Sequence, residues 1–149
     1  VMKLLPRTAR FALMATLDVA LHARGRPVSS KQLAARHDLP PRRLETVLQA
    51  LVRAGILKSV RGPAGGYALA RERRRLSVGE IVRVALRAEE EEAPDVAPPL
   101  LSAVLEPIIA EAEESALRQL DDVTLDDLHA RAVALGFGER PDASGAFEI

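Results

Sequence analysis

Residues 62–66 read Gly62-Pro63-Ala64-Gly65-Gly66, three glycines and a proline within five positions. No helix runs through such a stretch, because glycine raises the backbone entropy cost and proline removes a donor. On either side lie short runs with strand character, Ile56-Leu57-Lys58-Ser59-Val60-Arg61 and Tyr67-Ala68-Leu69-Ala70. The reading is a two-stranded ribbon closed by a glycine turn, with Tyr67 and Leu69 on one face. A lone ribbon is marginal in water, so it must lie on something else. The rest of the chain is rich in Ala, Leu and Arg and only 3% aromatic, which supplies helices.

Apolar spacing places those helices. Phe11, Leu13, Met14, Leu17, Val19, Ala20 and Leu21 recur through a helix expected over Thr8–Arg24. Gly25-Arg26-Pro27 breaks it. Ser29-Ser30 caps a short second helix to about His37, with Leu33 and Ala34 inward. Asp38-Leu39-Pro40 ends that helix. Pro41 suits the first turn of a third, whose Leu44, Val47, Leu48 and Leu51 form one stripe before Gly55. Two short helices joined by a three- to four-residue turn make a helix-turn-helix, and the ribbon after them makes it a winged one. Ser77-Val78-Gly79-Glu80 has capping-box spacing and opens a fourth helix to about Leu86 or Arg87.

Beyond it the chemistry of the chain inverts. Residues 1–87 carry 18 Lys/Arg against 5 Asp/Glu, whereas residues 88–149 carry 3 against 16, so a formal charge of zero conceals +13 and −13. A basic half suits a polyanion, and an acidic half needs another purpose. The organisation expected is a winged helix-turn-helix domain over 1–87, an acidic linker over 88–99, dimerisation helices over 100–137 and a flexible tail over 138–149. Leu101, Leu105, Ile108, Ile109, Ala112, Ala116 and Leu120, with Val104 and Leu117, fit one helix face. Pro107 requires that this helix start nearby or bend there. A domain of 87 residues is expected to have closed its own core by Leu86, so the face is assigned to self-association. Thr124 and Asp127 open a last helix that stops at Gly136. The fold class is thus mainly α with a small two-stranded β wing, plus a long dimerisation helix.

Nucleic acid is the partner this pattern suits. The start of a recognition helix meets base edges in the major groove, here Arg42, Arg43, Glu45 and Thr46. Arg can bond guanine bidentately and Glu can accept from the cytosine amino group. Arg61 and Gly62 mark the wing tip, with Gly65 and Gly66 expected to let the wing backbone lie against DNA. Arg71, Arg73, Arg74 and Arg75 offer a third contact region. A phosphate-loop reading of the glycines fails, since a strand follows and no Gly-Lys-Ser/Thr is present. No catalytic constellation is read, so no enzyme activity is expected. His22, His37 and His129 lie far apart in sequence without a zinc-type pairing, and Glu89–Glu92 reads as a solvated linker. The absence of cysteine excludes disulfides and thiolate metal sites in these residues, and no cofactor is expected. No apolar run approaches the roughly 20 residues of a membrane span, so a cytoplasmic protein is expected.

Several segments resemble the Rrf-type family of winged helix-turn-helix transcriptional regulators. The strongest is Ser59-Val60-Arg61-Gly62-Pro63-Ala64-Gly65-Gly66-Tyr67-Ala68-Leu69-Ala70. Arg10-Phe11-Ala12-Leu13, Leu17 through His22, Leu44 through Leu57, Ser77 through Val82 and Leu120 through Leu128 also fit. The resemblance covers about residues 3–130. It implies a homodimeric, sequence-specific transcriptional regulator with its long helix crossing to the partner; apart from the resemblance, repression from a palindromic operator on double-stranded DNA is expected. It also maps DNA contacts onto Arg42, Arg43, Glu45, Thr46 and Arg61. Two departures stand out. Family members often have Ser and Tyr where this chain has Pro40-Pro41-Arg42-Arg43, so a different operator is expected. Cluster-binding members carry three cysteines where this chain has Glu89-Glu90-Glu91-Glu92-Ala93-Pro94-Asp95, so an iron–sulfur cluster is not expected. The signal, if there is one, would be a small molecule, a protein effector or abundance. The rival reading is a winged-helix protein-interaction module that docks a partner through its acidic half.

Overall fold

A computed structural model describes residues 4–22, 25–92 and 96–138. Among these residues six α-helices and one ribbon follow in order: α1 (Arg7–His22), α2 (Ser30–His37), α3 (Pro41–Arg53), β1 (Leu57–Val60), β2 (Gly66–Leu69), α4 (Val78–Glu92), α5 (Glu106–Asp121) and α6 (Leu125–Ala134). The mutually packed helices α1, α3 and α4 form the centre. Ala12, Ala15 and Val19 of α1, Leu44, Leu48 and Leu51 of α3, and Ile81 and Val82 of α4 are buried there. The small residues of α1 let its neighbours approach closely.

Local chemistry sets the helix ends. Ser29 caps α2 through a complete capping box: its Oγ accepts from Gln32 N at 3.1 Å, and Gln32 Oε1 accepts from Ser29 N at 3.0 Å. Asp38, left-handed at φ 50°, turns the chain out of α2, and buried Leu39 anchors the turn before Pro41 opens α3. Thr124 caps α6 in the same way, with Asp127 returning the bond. At Ser77 only half of the expected box forms. Ser77 Oγ accepts from Glu80 N at 3.0 Å, while the Glu80 carboxylate is taken by Arg71.

The ribbon is antiparallel, with Leu57 opposite Leu69 and Val60 opposite Gly66. Val28 extends it by one bridge, exchanging bonds of 2.9 and 2.7 Å with Tyr67. Tyr67 and Leu69 both pack on the core, as the strand alternation requires.

Two expectations need correction, and two gain detail. First, α4 runs on to Glu92, so the supposed linker begins within a helix. Ala and Glu are strong helix formers, and that propensity outweighs the unfavourable charge at the helix C-terminus. Second, the core does not close by Leu86. Leu117 of α5 and Leu125 of α6 enter it, and Leu120 packs against it. Third, helical residues begin at 99, and α5 proper opens at Glu106 with Pro107 in its first turn, as expected. Residues 101–105 widen into a π-turn, in which Glu106 N–H donates to the Leu101 carbonyl. This accommodates a proline that cannot donate and would crowd the carbonyl four residues before it. Fourth, Arg71, Arg73 and Arg74 are paired within the chain. Arg71 binds Glu80, Arg73 binds Asp126 at 3.3 Å and Arg74 binds Glu72 at 3.2 Å. The expected flexible tail falls almost wholly on 139–149, outside the described residues.

The two charged halves are joined. Arg83 of α4 reaches Asp121 at 2.8 Å and Glu114 at 3.0 Å, and Arg73 reaches Asp126. The bonds to Asp121, then to Glu114, hold the Arg83 guanidinium well above its usual range. Backbone bonds reinforce the joint: Val78 N to Val123 O at 2.7 Å and Leu125 N to Leu76 O at 2.8 Å.

Candidate nucleic-acid interface

Helix α3 is sharply two-sided. Leu44, Val47, Leu48 and Leu51 face the core, and Arg42, Glu45, Thr46, Gln49 and Arg53 are exposed. Arg42, Thr46, Gln49 and Arg53 share one stripe by helical spacing, and Arg43 is exposed beside them. Gln49 and Arg53 extend the set read from the sequence, which stopped at the first turn and a half. Their signal was present, since they lie on the face opposite the leucine stripe. Gln is a natural bidentate reader of adenine. Thr46 Oγ1 donates to the Arg42 carbonyl at 3.1 Å and still has lone pairs to offer.

The wing stands beside this face. Burial, then the Glu45 charge, pushes the Tyr67 phenol up, so the recognition helix and the wing base share one electrostatic neighbourhood. Val60 through Ala64 are exposed and form the tip, with Arg61 and Gly62 at its outer end. The two inner glycines have a role within the fold itself. A Cβ on Gly65 would strike the Val60 carbonyl, and one on Gly66 would strike the Val28 carbonyl. Their smallness is required by the chain's own backbone, whatever the wing touches.

Behind α3, the helix-turn-helix is tied to α1 by a buried carboxylate. Asp18 accepts from Arg36 Nε at 2.9 Å, Arg36 Nη2 at 2.7 Å and His37 Nε2 at 2.6 Å. His22 stands 3.4 Å away. Burial pushes the Asp18 carboxyl up, but the bonds from Arg36 and His37 outweigh it and hold the group below its ordinary value. Sequence reading missed this cluster. Asp18 lies four residues before His22, one helical turn, and that spacing was the available signal. His129 sits apart near Arg73, and burial, then that guanidinium, lowers its pKa.

Of the residues assigned to dimerisation, Leu101, Leu105, Ile108, Ile109 and Ala112 are exposed, as is Val104. Ile108 is 65% exposed. Ala116 is half-buried, and Leu120 is turned to the chain's own core. The face therefore divides: its first part has no partner among the described residues, and its second part docks on α4.

Comparison with known proteins gives one consistent result. Residues 5–131 match the Rrf2 family, described as "Iron-dependent Transcriptional regulator". Protein rrf2 of Nitratidesulfovibrio vulgaris is 34% identical over 134 residues, covering 85% of this chain and 87% of that protein. The HTH-type regulator IscR of Xenorhabdus nematophila is 40% identical over 73 residues, which are 49% of this chain and 44% of that regulator. Among solved structures, T. potens IscR matches with a TM-score of 0.70 at 32% identity, covering 93% of this chain and 94% of the other. CymR, the global cysteine regulator of B. subtilis, matches with a TM-score of 0.63 at 29% identity, covering 88% and 98%. The iron in the family description finds no thiolates here, because the 149 residues contain no cysteine. Among the described residues no group of three His, Asp or Glu is placed to hold a metal. The donor set does not fit a thiolate-held cluster. Nor is any described helix long and apolar enough to cross a membrane. With a winged helix, an exposed arginine-bearing recognition face and a match across most of its length, the chain belongs to the Rrf2 family of transcriptional regulators, which are not enzymes.

Proposed function

We propose that two copies of this chain pair through the exposed stripe of the 99–113 helix and repress transcription in the cytoplasm from a palindromic operator, without an iron–sulfur cluster. The observation that carries this reading is the division of the long helix. A helix whose second half docks intramolecularly holds its first half out, with Leu101, Val104, Leu105, Ile108 and Ile109 uncovered. Contiguous exposed apolar residues of this kind mark an interface. A second copy of the same stripe is self-complementary about a twofold axis, and that symmetry sets two recognition helices on two half-sites. Arg42, Arg43, Glu45 and Thr46 read bases, while Arg61 and Gly62 position the wing on the backbone or in a groove. Gly65 and Gly66 hold the wing's shape.

The rival, a protein-docking module using the acidic half, is weakened because Glu114, Asp121 and Asp126 are engaged by Arg83 and Arg73. The test is sedimentation of the free protein, followed by transcription from an operator-bearing template with increasing protein. The reading predicts a dimer, falling transcript and an affinity that drops steeply with salt as counterions are released. A monomer at micromolar concentration, rising transcript or a flat salt dependence contradicts it.

A further inference from the structure

A cavity of about 680 Å³ lies between α1, the end of α2 and α6, and no residue of α3 lines it. Its volume is in the range of roughly 300–1,000 Å³ typical of small-molecule sites. Met14, Leu17 and Leu21 of α1 and Leu128 and Ala132 of α6 give it an apolar wall. Its polar lining groups are few. They are His22, Arg36 and His37 around Asp18, with Arg131 of α6. The one carboxylate among them is already occupied by three donors from Arg36 and His37. Arg131 makes no ion pair among the described residues. The lining is therefore an apolar trough with a net cationic rim.

We propose that this cavity binds a small amphipathic organic anion, a carboxylate on an apolar body, and is the signal-input site of the regulator. The carboxylate would meet the Arg131 guanidinium, and its body would cover Leu17, Leu21 and Leu128. The input role rests on the regulator reading above; the site itself does not. Its placement suits that role. Arg36 and His37 end α2, one turn before the recognition helix, and α6 follows directly on the long helix assigned to pairing. A ligand between them biases any motion of one against the other, provided it prefers one arrangement.

The test is calorimetric titration of the full chain with octanoate, with octylammonium as the probe of opposite charge. Octanoate should bind saturably, one per protomer, and octylammonium should not. Arg131→Glu, at an exposed position, should keep the wild-type melting temperature yet weaken octanoate by about tenfold or more, with Arg131→Lys restoring most of the loss. Equal binding of the two probes, or wild-type octanoate affinity in Arg131→Glu, overturns the site. So does a lack of saturable octanoate binding, which leaves the cavity to another segment of this chain or to a second copy. DNA affinity is measured in the same samples. Octanoate binding with unaltered DNA affinity upholds the site and overturns the input role. Octanoate binding by a protein that never binds DNA upholds the site and sinks the regulator reading instead.

Discussion

Replacing Asp18 by Asn keeps the volume of the side chain and removes its charge, which makes it a clean probe of the joint between α1 and the helix-turn-helix. The Asp18 side chain is 1% exposed, and its partners Arg36 and His37 are 33% and 29% exposed. Stranding a fully buried charge costs roughly 3–5 kcal/mol. Here both donors reach water and can rehydrate, which pulls the cost down. An Asn amide also turns donor against donor at one of the two oxygens. The expected loss is about 2–3 kcal/mol at pH 7. For a chain of this size that lowers Tm by roughly 4–12 °C. The sign of the pH dependence follows from the depressed carboxyl. Its contribution is complete above the ordinary value of 3.8 and is lost as pH falls through the lower folded value. The gap between wild type and Asp18→Asn should therefore be full at pH 7 and shrink below pH 4. Urea unfolding across that range measures it, and a double-mutant cycle with Arg36→Ala should give a coupling of at least about 1 kcal/mol. A gap below about 0.5 kcal/mol at pH 7, inside the range of ordinary surface changes, would refute the argument. So would a gap that stays constant into acid.

Gly66→Ala forces a methyl group into the Val28 backbone and should break the Val28–Tyr67 bridge. It should cost about 2–3 kcal/mol in urea unfolding and speed exchange of the Tyr67 amide; a stability equal to wild type sinks the packing argument. Ile108→Glu, exposed in one protomer, should leave monomer unfolding within about 0.5 kcal/mol and abolish pairing in sedimentation, whereas a persisting dimer moves the interface elsewhere. Arg61→Ala should weaken all DNA sequences alike, and Arg43→Ala should also relax base preference by roughly 1–3 kcal/mol at its position. Equal losses on every sequence for both variants contradict that division of labour.

Most of the body was legible because its signals are local. The leucine stripe of α3, the Ser29 and Thr124 caps and the glycine turn each act within a few residues. What escaped was tertiary or depended on competing terms. The Glu89–Glu92 run reads as linker by charge, yet Ala88 and the glutamates propagate α4, because propensity is summed along a helix that tertiary packing has already nucleated. Arg71 and Arg73 read as free cations until folding brings Glu80 and Asp126 to them. Leu120 shares a stripe with Ile109, but the helix meets the core only over its last turns, and no periodicity marks where contact begins. Gly65 and Gly66 announce close approach without naming what approaches. The neighbour is this chain's own backbone.

The central claim is a pair of recognition helices reading a symmetric site. Selection of bound fragments from random DNA, with the mass of the selected complex measured, tests it most directly. A palindromic site should emerge, with half-site centres one helical turn of about 34 Å or a multiple apart and two protomers bound. Failure to enrich any sequence, or an asymmetric site that holds a single protomer, contradicts the account.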